Sequence, residues 1–346
     1  MDRDIARIID ANFNRAREAA RVLEDYARFV LNDPAGTAVV KQFRHDLAGC
    51  LGRLPANTLL IARDTPGDVG TSISTATERQ RTDLDAVLIA AAKRLPEALR
   101  TIEEYAKTFD PDLAAAVESL RYRSYDLEQR LRLRGKRAGR FSGVRMYVLI
   151  TESLCHGDWF TTAEQAIAGG AGCLQLREKA LEDDELLKRA RLLAELCRRN
   201  DVLFIVNDRP DIAFLSEADG VHLGQTDLPV AEARRIVGPG CLIGLSTHTP
   251  EQLYAAIEQQ PDYIAVGPMF PSSTKPQEHV PGPELLKAAV ARTAIPLVCI
   301  GGIKQANLSI LIEAGVRCAA VCSAVIGCAD VRAETTRLAS VFDLSG

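Results

Sequence analysis

CLQLREKALEDDELLKRARLLAELCRRNDVLFIVND, residues 173–208, decides how the larger part of this chain folds. It opens with a short apolar run, passes through an amphipathic segment of helical length with an acidic start, and ends in a second apolar run, LFIVND. Short β-rich runs alternating with helical runs predict parallel strands joined by right-handed crossovers. The same unit recurs on both sides. MYVLIT, CLQLRE, LFIVND, GVHLG, LIGLST, YIAVGP, LVCIGG and AAVCSAV are the strand-like runs from residue 146 onward, with helical segments between them. Eight alternations in about 200 residues predict a closed (β/α)8 TIM barrel over residues 144–346. An open doubly wound sheet usually stops nearer six strands.

In such a barrel the chemistry lies at the carboxyl ends of the strands. The chain places polar residues or glycine there at seven of the eight runs. Run two ends in Gln175, Arg177 and Lys179, which alternate with Leu176 and Glu178 and so share one face. Run three ends in Asn207 and Asp208, and run four leads to Gln225 and Asp227. Ser246, Thr247 and His248 close run five. Run six opens into a long loop containing Ser272, Ser273, Thr274 and Lys275, a length that suits a lid. Gly301 and Gly302 end run seven; Cys322 and Ser323 sit on run eight. Arg177, Lys179 and Lys275 suit a multiply charged phosphate. Asp208 and Asp227, hard oxygen donors on neighbouring strand ends, suit Mg²⁺ together with phosphate oxygens and water. Gly302 and Ser323 fall where barrels of this kind cradle a second phosphate. Taken singly, either aspartate also suits a helix cap, and His222 suits a satisfied core histidine.

Residues 1–136 follow a different pattern, long amphipathic runs with few β-branched clusters, and predict an all-α domain. NFNRAREAARVLEDYARFVLND reads as a helix ended by Asp33-Pro34, and Pro96 as a kink or a new helix start. EAARVLEDYAR from Glu18 matches EALRTIEEYAK from Glu97 at an offset of 79, an internal repeat. Within it Glu18, Arg21, Asp25 and Arg28 form one stripe of alternating charge. A solvated helix face explains the stripe, and so does a pair of equivalent helices turning acidic residues to a shared site. Residues 137–143, RAGRFSG, read as a basic linker.

The bulk numbers exclude several classes. A formal net charge of −4 provides no basic field for nucleic acid. No apolar run is long enough to cross a bilayer, and the charged start MDRDIARIID has no secretory core. Nine cysteines, an odd number without a C-x-x-C pair, predict reduced thiols in a cytoplasmic protein. The oligomeric state, a homo-oligomer included, is left open.

QLREK, VNDRPDIA, DGVHLGQTD, GLSTHT, AVGPMFPSSTK, IGGI followed by Asn307, and EAGVRCAAVCSAV stand in an order and spacing that resemble the thiamine phosphate synthase family, from about residue 147 to the end. The resemblance implies a transferase that joins hydroxymethylpyrimidine diphosphate to hydroxyethylthiazole phosphate with release of pyrophosphate. By position it implies pyrimidine diphosphate contacts at Gln175, Leu176, Arg177, Glu178, Lys179, Asn207, Ser246 and Lys275. It implies Mg²⁺ at Asp208 and Asp227, and thiazole phosphate contacts at Ser272, Ser273, Thr274, Gly302, Cys322 and Ser323. Ser272 stands where threonine is more usual, and Cys322 replaces an aliphatic residue. Arg177, Lys179 and Lys275 are the expected catalytic groups. DANFNRAREAARVLEDYARF and RDTPGDVGT resemble a helical domain fused ahead of such synthases and proposed as an alternative hydroxymethylpyrimidine phosphate kinase. No Walker loop or kinase signature accompanies it; TPGDVGTS has the composition of a phosphate cradle and equally of a turn-rich connector. The competing readings are a thiazole phosphate isomerase for the barrel and a non-catalytic helical scaffold for the first half.

Overall fold

The computed structural model describes residues 1–69, 80–271 and 280–343. It divides into two compact units, Met1–Lys136 and Arg137–Gly346.

The first unit is helical: α1 (Arg3–Asp25), a π-helical turn (Tyr26–Val30), α2 (Pro34–Leu51), α3 (Thr58–Ala62), α4 (Leu84–Ala106) and α5 (Pro111–Ser142), the last running on into the second unit. Asp2 caps α1 by accepting from the amides of Asp4 and Ile5. Pro96 lies inside α4 without ending it, because Leu95, Pro96 and Leu99 are all buried and hold the helix through the missing bond. Ile9, Leu23, Phe43, Leu47, Leu88, Leu99 and Ile102 make the core of this unit. Burial of each contributes on the order of 2 kcal/mol.

The repeat extends further than the matched helices. Beyond the turn the offset becomes 77, relating Asp33-Pro34 to Asp110-Pro111, Val40 to Val117, Phe43 to Leu120 and Arg44 to Arg121. Asp33 accepts from the Gly36 amide and Asp110 from the Leu113 amide, both at 2.9 Å, so the two caps are equivalent. The amide of Asp33 reaches the carbonyl of Ala27, and that of Asp110 reaches the carbonyl of Ala106. One closing bond therefore spans two extra residues in the first copy, and the π-helical turn absorbs them. Glu24 and Glu103 are equivalent and buried. Glu103 takes Arg121 at 2.8 Å, Arg100 at 2.6 Å and Lys107 at 3.2 Å; Glu24 takes Arg44, Arg21 and Arg28. Each carboxylate is closed off by its own copy, so the repeated acids do not face a shared site.

The second unit is a closed barrel of eight parallel strands in sequence order. They are β1 (Met146–Ile150), β2 (Cys173–Leu176), β3 (Leu203–Asn207), β4 (Gly220–Leu223), β5 (Leu242–Thr247), β6 (Tyr263–Val266), β7 (Leu297–Ile300) and β8 (Cys318–Val321). Alternation divides their side chains. Val148, Leu174, Phe204, Val221, Ile243 and Ile264 pack outward under the helices, while Tyr147, Cys173, Ile205, Leu242, Tyr263 and Val298 fill the interior. Gly244 is where the Tyr263 ring passes; a Cβ there would lie 2.0 Å from Cζ.

The expected linker is a correction. Residues 137–142 are helical to Ser142. Phe141 is buried among the first residues of the strands and stacks on Tyr263 with centroids 4.4 Å apart and planes 6° apart. Arg137 bonds Asp262 at 2.8 Å and Arg140 bonds Asp219 at 2.7 Å. These contacts outweigh the propensity cost of Gly139, about 1 kcal/mol, so the segment plugs the amino-terminal mouth of the barrel rather than linking to it.

Candidate active site

A cavity of about 720 Å³ opens at the carboxyl ends of the strands. Gln175, Arg177, Lys179, Asn207, Asp208, Asp227, Ser246, Gly302, Cys322 and Ser323, all expected from sequence, line it. Leu176 and Glu178 do not. Strand alternation turns Leu176 into the outer core, and Glu178 accepts instead from the amide of Glu152 at 2.6 Å. Ser272, Ser273, Thr274 and Lys275 lie outside the described residues.

Arg177 is partly buried at the end of β2, its backbone held by Ile150 and Thr151. Its guanidinium makes no ion pair among the described residues, although a desolvated guanidinium demands an anion. Lys179 bonds Asp208 at 3.0 Å. Asp208 itself has φ of 63°, a left-handed conformation that aspartate tolerates, and its amide bonds the carbonyl of His222 on β4. Asp227 turns back onto the Gly224 amide at 2.6 Å. Burial pushes the Asp227 carboxyl up; the Gly224 amide opposes this, and the neighbouring Asp208 carboxylate adds to it. Two acids thus converge with one lysine between them, a pair short of positive charge. Among the described residues no group of three or more histidine, cysteine or acidic ligands forms. The pair nonetheless fits Mg²⁺, which is commonly held by one or two carboxylates with water and phosphate oxygens.

On the opposite side, Gly302 has φ of 64°, and a Cβ there would lie 2.6 Å and 2.7 Å from the carbonyl oxygens of Phe270 and Pro271. Only glycine permits that approach. Burial pushes the Cys322 thiol up to about 11, which leaves it protonated and inert. All nine cysteines are free. His248 bonds the Gly267 carbonyl through Nδ1 at 2.6 Å, joining the ends of β5 and β6.

Below the mouth two tyrosines that pattern reasoning missed, Tyr147 and Tyr263, link three residues that it named, Gln175, Ser246 and His222, the last as a satisfied core histidine. Gln175 Nε2 donates to Tyr147 Oη at 2.6 Å, and Tyr147 Oη meets Tyr263 Oη at 3.0 Å. Tyr263 Oη meets His222 Nδ1 at 2.9 Å, and His222 Nε2 meets Ser246 Oγ at 2.8 Å. Burial holds the His222 ring down at about 4, so it is neutral near pH 7. The only signal available was a tyrosine inside two strand runs, MYVLIT and YIAVGP.

A closed parallel barrel whose carboxyl mouth gathers a guanidinium unpaired among the described residues, a carboxylate pair and a glycine cradle defines an enzyme acting on phosphorylated small molecules. Residues 146–325 match the model described as Thiamine monophosphate synthase, and residues 7–130 match the ThiD2 family. A thiamine-phosphate synthase of Synechocystis is 42% identical over 96% of this chain and 95% of its own. One from Rhodopirellula baltica is 41% identical over 93% of this chain and 88% of its own. The solved thiamine phosphate pyrophosphorylase of Pyrococcus furiosus superposes with a TM-score of 0.55 at 34% identity, covering 60% of this chain and 98% of that one. The chain belongs to the thiamine-phosphate synthase family, preceded by a domain matching the ThiD2 family. It joins hydroxymethylpyrimidine diphosphate and hydroxyethylthiazole phosphate to give thiamine phosphate and pyrophosphate, so the isomerase alternative falls away. Among the described residues no helix is long and apolar enough to cross a membrane.

Proposed function

We propose the following division of the cavity for the synthase reaction. Gln175, Asn207 and Ser246 orient the pyrimidine, Arg177, Lys179 and Lys275 receive its diphosphate, and Asp208 and Asp227 hold Mg²⁺. The backbone of Gly302, Cys322 and Ser323, with Ser272 to Thr274, anchors the thiazole phosphate. The observation that carries this is the partly buried guanidinium of Arg177, without an ion-pair partner among the described residues, lining the same cavity as the two acids. Mg²⁺ would supply charge neutralisation on the diphosphate oxygens. Arg177 and Lys275 neutralise the charge that grows on the departing pyrophosphate. The electron-rich aminopyrimidine carries the cation left behind, and the cavity walls keep water from it. The thiazole nitrogen, positioned by its own phosphate anchor, then attacks. No step needs a strong general base.

Asp208→Asn tests this division, because asparagine keeps the left-handed backbone and the size but loses the charge. Synthase kcat/KM falls at least about 100-fold, on the scale of losing one transition-state charge contact, while the KM for thiazole phosphate stays within about twofold, as for an independent anchor. Undiminished synthesis sinks the assignment of the acids.

For the helical unit we infer a part in preparing or binding the pyrimidine phosphate, in keeping with the ThiD2 match. The two copies support it where they differ. Asp10, Asn12 and Asn14 stand where the second copy has Ile89, Ala91 and Lys93. Asp10 and Asn12 are buried, and Asp10 takes Arg63 through two bonds of 2.7 Å. Thr65 to Val69 form a turn, and the rest of TPGDVGTS lies outside the described residues. Incubating the full chain with ATP and pyrimidine monophosphate checks this; failure of both turnover and binding removes it. The same reading places the protein in the cytoplasm, among small phosphorylated substrates.

A further inference from the structure

The five-residue chain under the cavity has a property that its separate bonds do not. Each tyrosine hydroxyl has one proton to give, and a neutral imidazole has one N–H and one lone pair. Where each phenol spends its proton inside the chain, the direction of one bond sets the direction of all the others. Gln175 places its amide nitrogen on Tyr147. Tyr147 then donates to Tyr263, and Tyr263 donates to His222 Nδ1. His222 must carry its proton on Nε2 and give it to Ser246 Oγ.

The two ends of the chain line the cavity. With this direction, Gln175 keeps its carbonyl oxygen for a ligand, and the Ser246 hydroxyl, having accepted from His222, has its proton to donate. Reversal would require turning the amide, both phenols, the imidazole proton and the serine together, after which Gln175 offers N–H and Ser246 a lone pair. In either direction the two ends have opposite character. The interior links are buried: Tyr147, Tyr263 and His222 are 1%, 0% and 8% exposed, Tyr147 and His222 with an edge on the cavity and Tyr263 wholly enclosed. At Tyr263, which does not reach the cavity, an unmatched group is costly.

We infer that Gln175–Tyr147–Tyr263–His222–Ser246 is a polarity relay, in which Tyr147, Tyr263 and His222 are positioning residues. It holds Gln175 as an acceptor and Ser246 as a donor toward the pyrimidine. An aminopyrimidine satisfies that pair, with an amine N–H for the carbonyl and a ring lone pair for the hydroxyl. Its 4-oxo counterpart presents a carbonyl where the amine stood and leaves one end unmatched. The relay is thus a device for choosing amino over oxo heterocycles. This rests on the reading that Gln175 and Ser246 meet the pyrimidine.

The test is made on the full chain with two variants that each remove one hydroxyl, Tyr263→Phe and Tyr147→Phe. The KM for the aminopyrimidine diphosphate is compared with the Ki of its 4-oxo counterpart as a competitive inhibitor of synthesis. In the parent chain the oxo compound is strongly rejected. In either variant the halves turn independently, and the ratio of Ki to KM falls about tenfold or more, while the KM for thiazole phosphate does not move. The nitrogen-15 pattern of His222 in the parent chain shows the Nε2–H tautomer. An unchanged ratio with activity lowered on every substrate makes these tyrosines merely structural and overturns the relay, as does an Nδ1–H tautomer with pyrimidine bound. Gln175→Ala separates the underlying reading: if it leaves the pyrimidine KM unchanged, the site assignment itself is wrong.

Discussion

Two buried polar systems occupy the two units, and they are built on opposite plans. In the helical unit Glu103 carries full charge and is closed off by Arg121, Arg100 and Lys107. In the barrel the linked residues are neutral, and both ends of the chain open onto a cavity. The first system leaves nothing for a ligand. The second leaves an amide and a hydroxyl whose remaining valences no described residue fills. Burial of polar groups therefore does not mark a site; what marks one is where the bonding runs out. The guanidinium of Arg177, unpaired among the described residues, obeys the same rule.

The largest stability effect should come from breaking the closed system. Glu103→Ala strands the Arg121 guanidinium, whose side chain is only 10% exposed and whose other acid, Glu118, is 3.6 Å away. Removing one partner of a buried pair costs about 3–5 kcal/mol. Denaturant unfolding of the helical transition shows this loss, with synthase activity of the barrel intact. A loss below about 1 kcal/mol, the value of a surface pair, would mean that the guanidinium relaxes into water and that the system is less closed than its geometry indicates.

The open system responds to acid instead. His222 is held at about 4 in the folded chain by burial, against an ordinary 6.5. Between those values the unfolded chain binds a proton that the folded chain does not, so stability falls as pH drops from about 6.5 to about 4. Each pH unit in that window is worth about 1.4 kcal/mol, so the barrel loses about 3 kcal/mol across it. Above pH 6.5 the term vanishes. Unfolding of the metal-free chain and of His222→Asn from pH 7 to pH 4.5 isolates it: the parent loses more, and equal slopes would mean that His222 is not held neutral.

The barrel was legible in the sequence because its signal is repetitive. Eight apolar runs with polar ends leave few other folds, and a cation row on alternate residues of CLQLREK survives any small error of boundary. Glu178 and Leu176 entered the expected site only through the family resemblance, whereas alternation alone excludes their side chains. RAGRFSG was misread because its helical state comes from Phe141 stacking on Tyr263 and Arg137 bonding Asp262, partners over 100 residues away. Tyr147 and Tyr263 were invisible for the same reason, since apolar-looking strand residues reveal a hydrogen bond only once the barrel closes. In the helical unit the match of Glu24 with Glu103 was plain, but the reading looked to the exposed stripe beside them and missed that the repeated glutamates point inward.

The smallest expected effect sharpens the contrast most. Replacing both members of the closed pair, Glu103→Leu with Arg121→Met, removes two charges whose desolvation the pairing offsets only in part. Leucine and methionine fill similar volume beside Ile102 and Leu120, and Arg100 and Lys107, both about half exposed, turn to solvent. The double variant should unfold within about 1 kcal/mol of the parent, on either side of it, although Glu103→Ala alone costs several times more. The difference is the cost of an orphaned charge, not the worth of the bond. On the proposed division of the cavity no such compensation exists for the open system: replacing Gln175 and Ser246 together by apolar residues preserves packing and still removes the groups offered to the pyrimidine. Recovery of stability in the first pair, without recovery of pyrimidine KM in the second, is the outcome that distinguishes a polar core from a polar site.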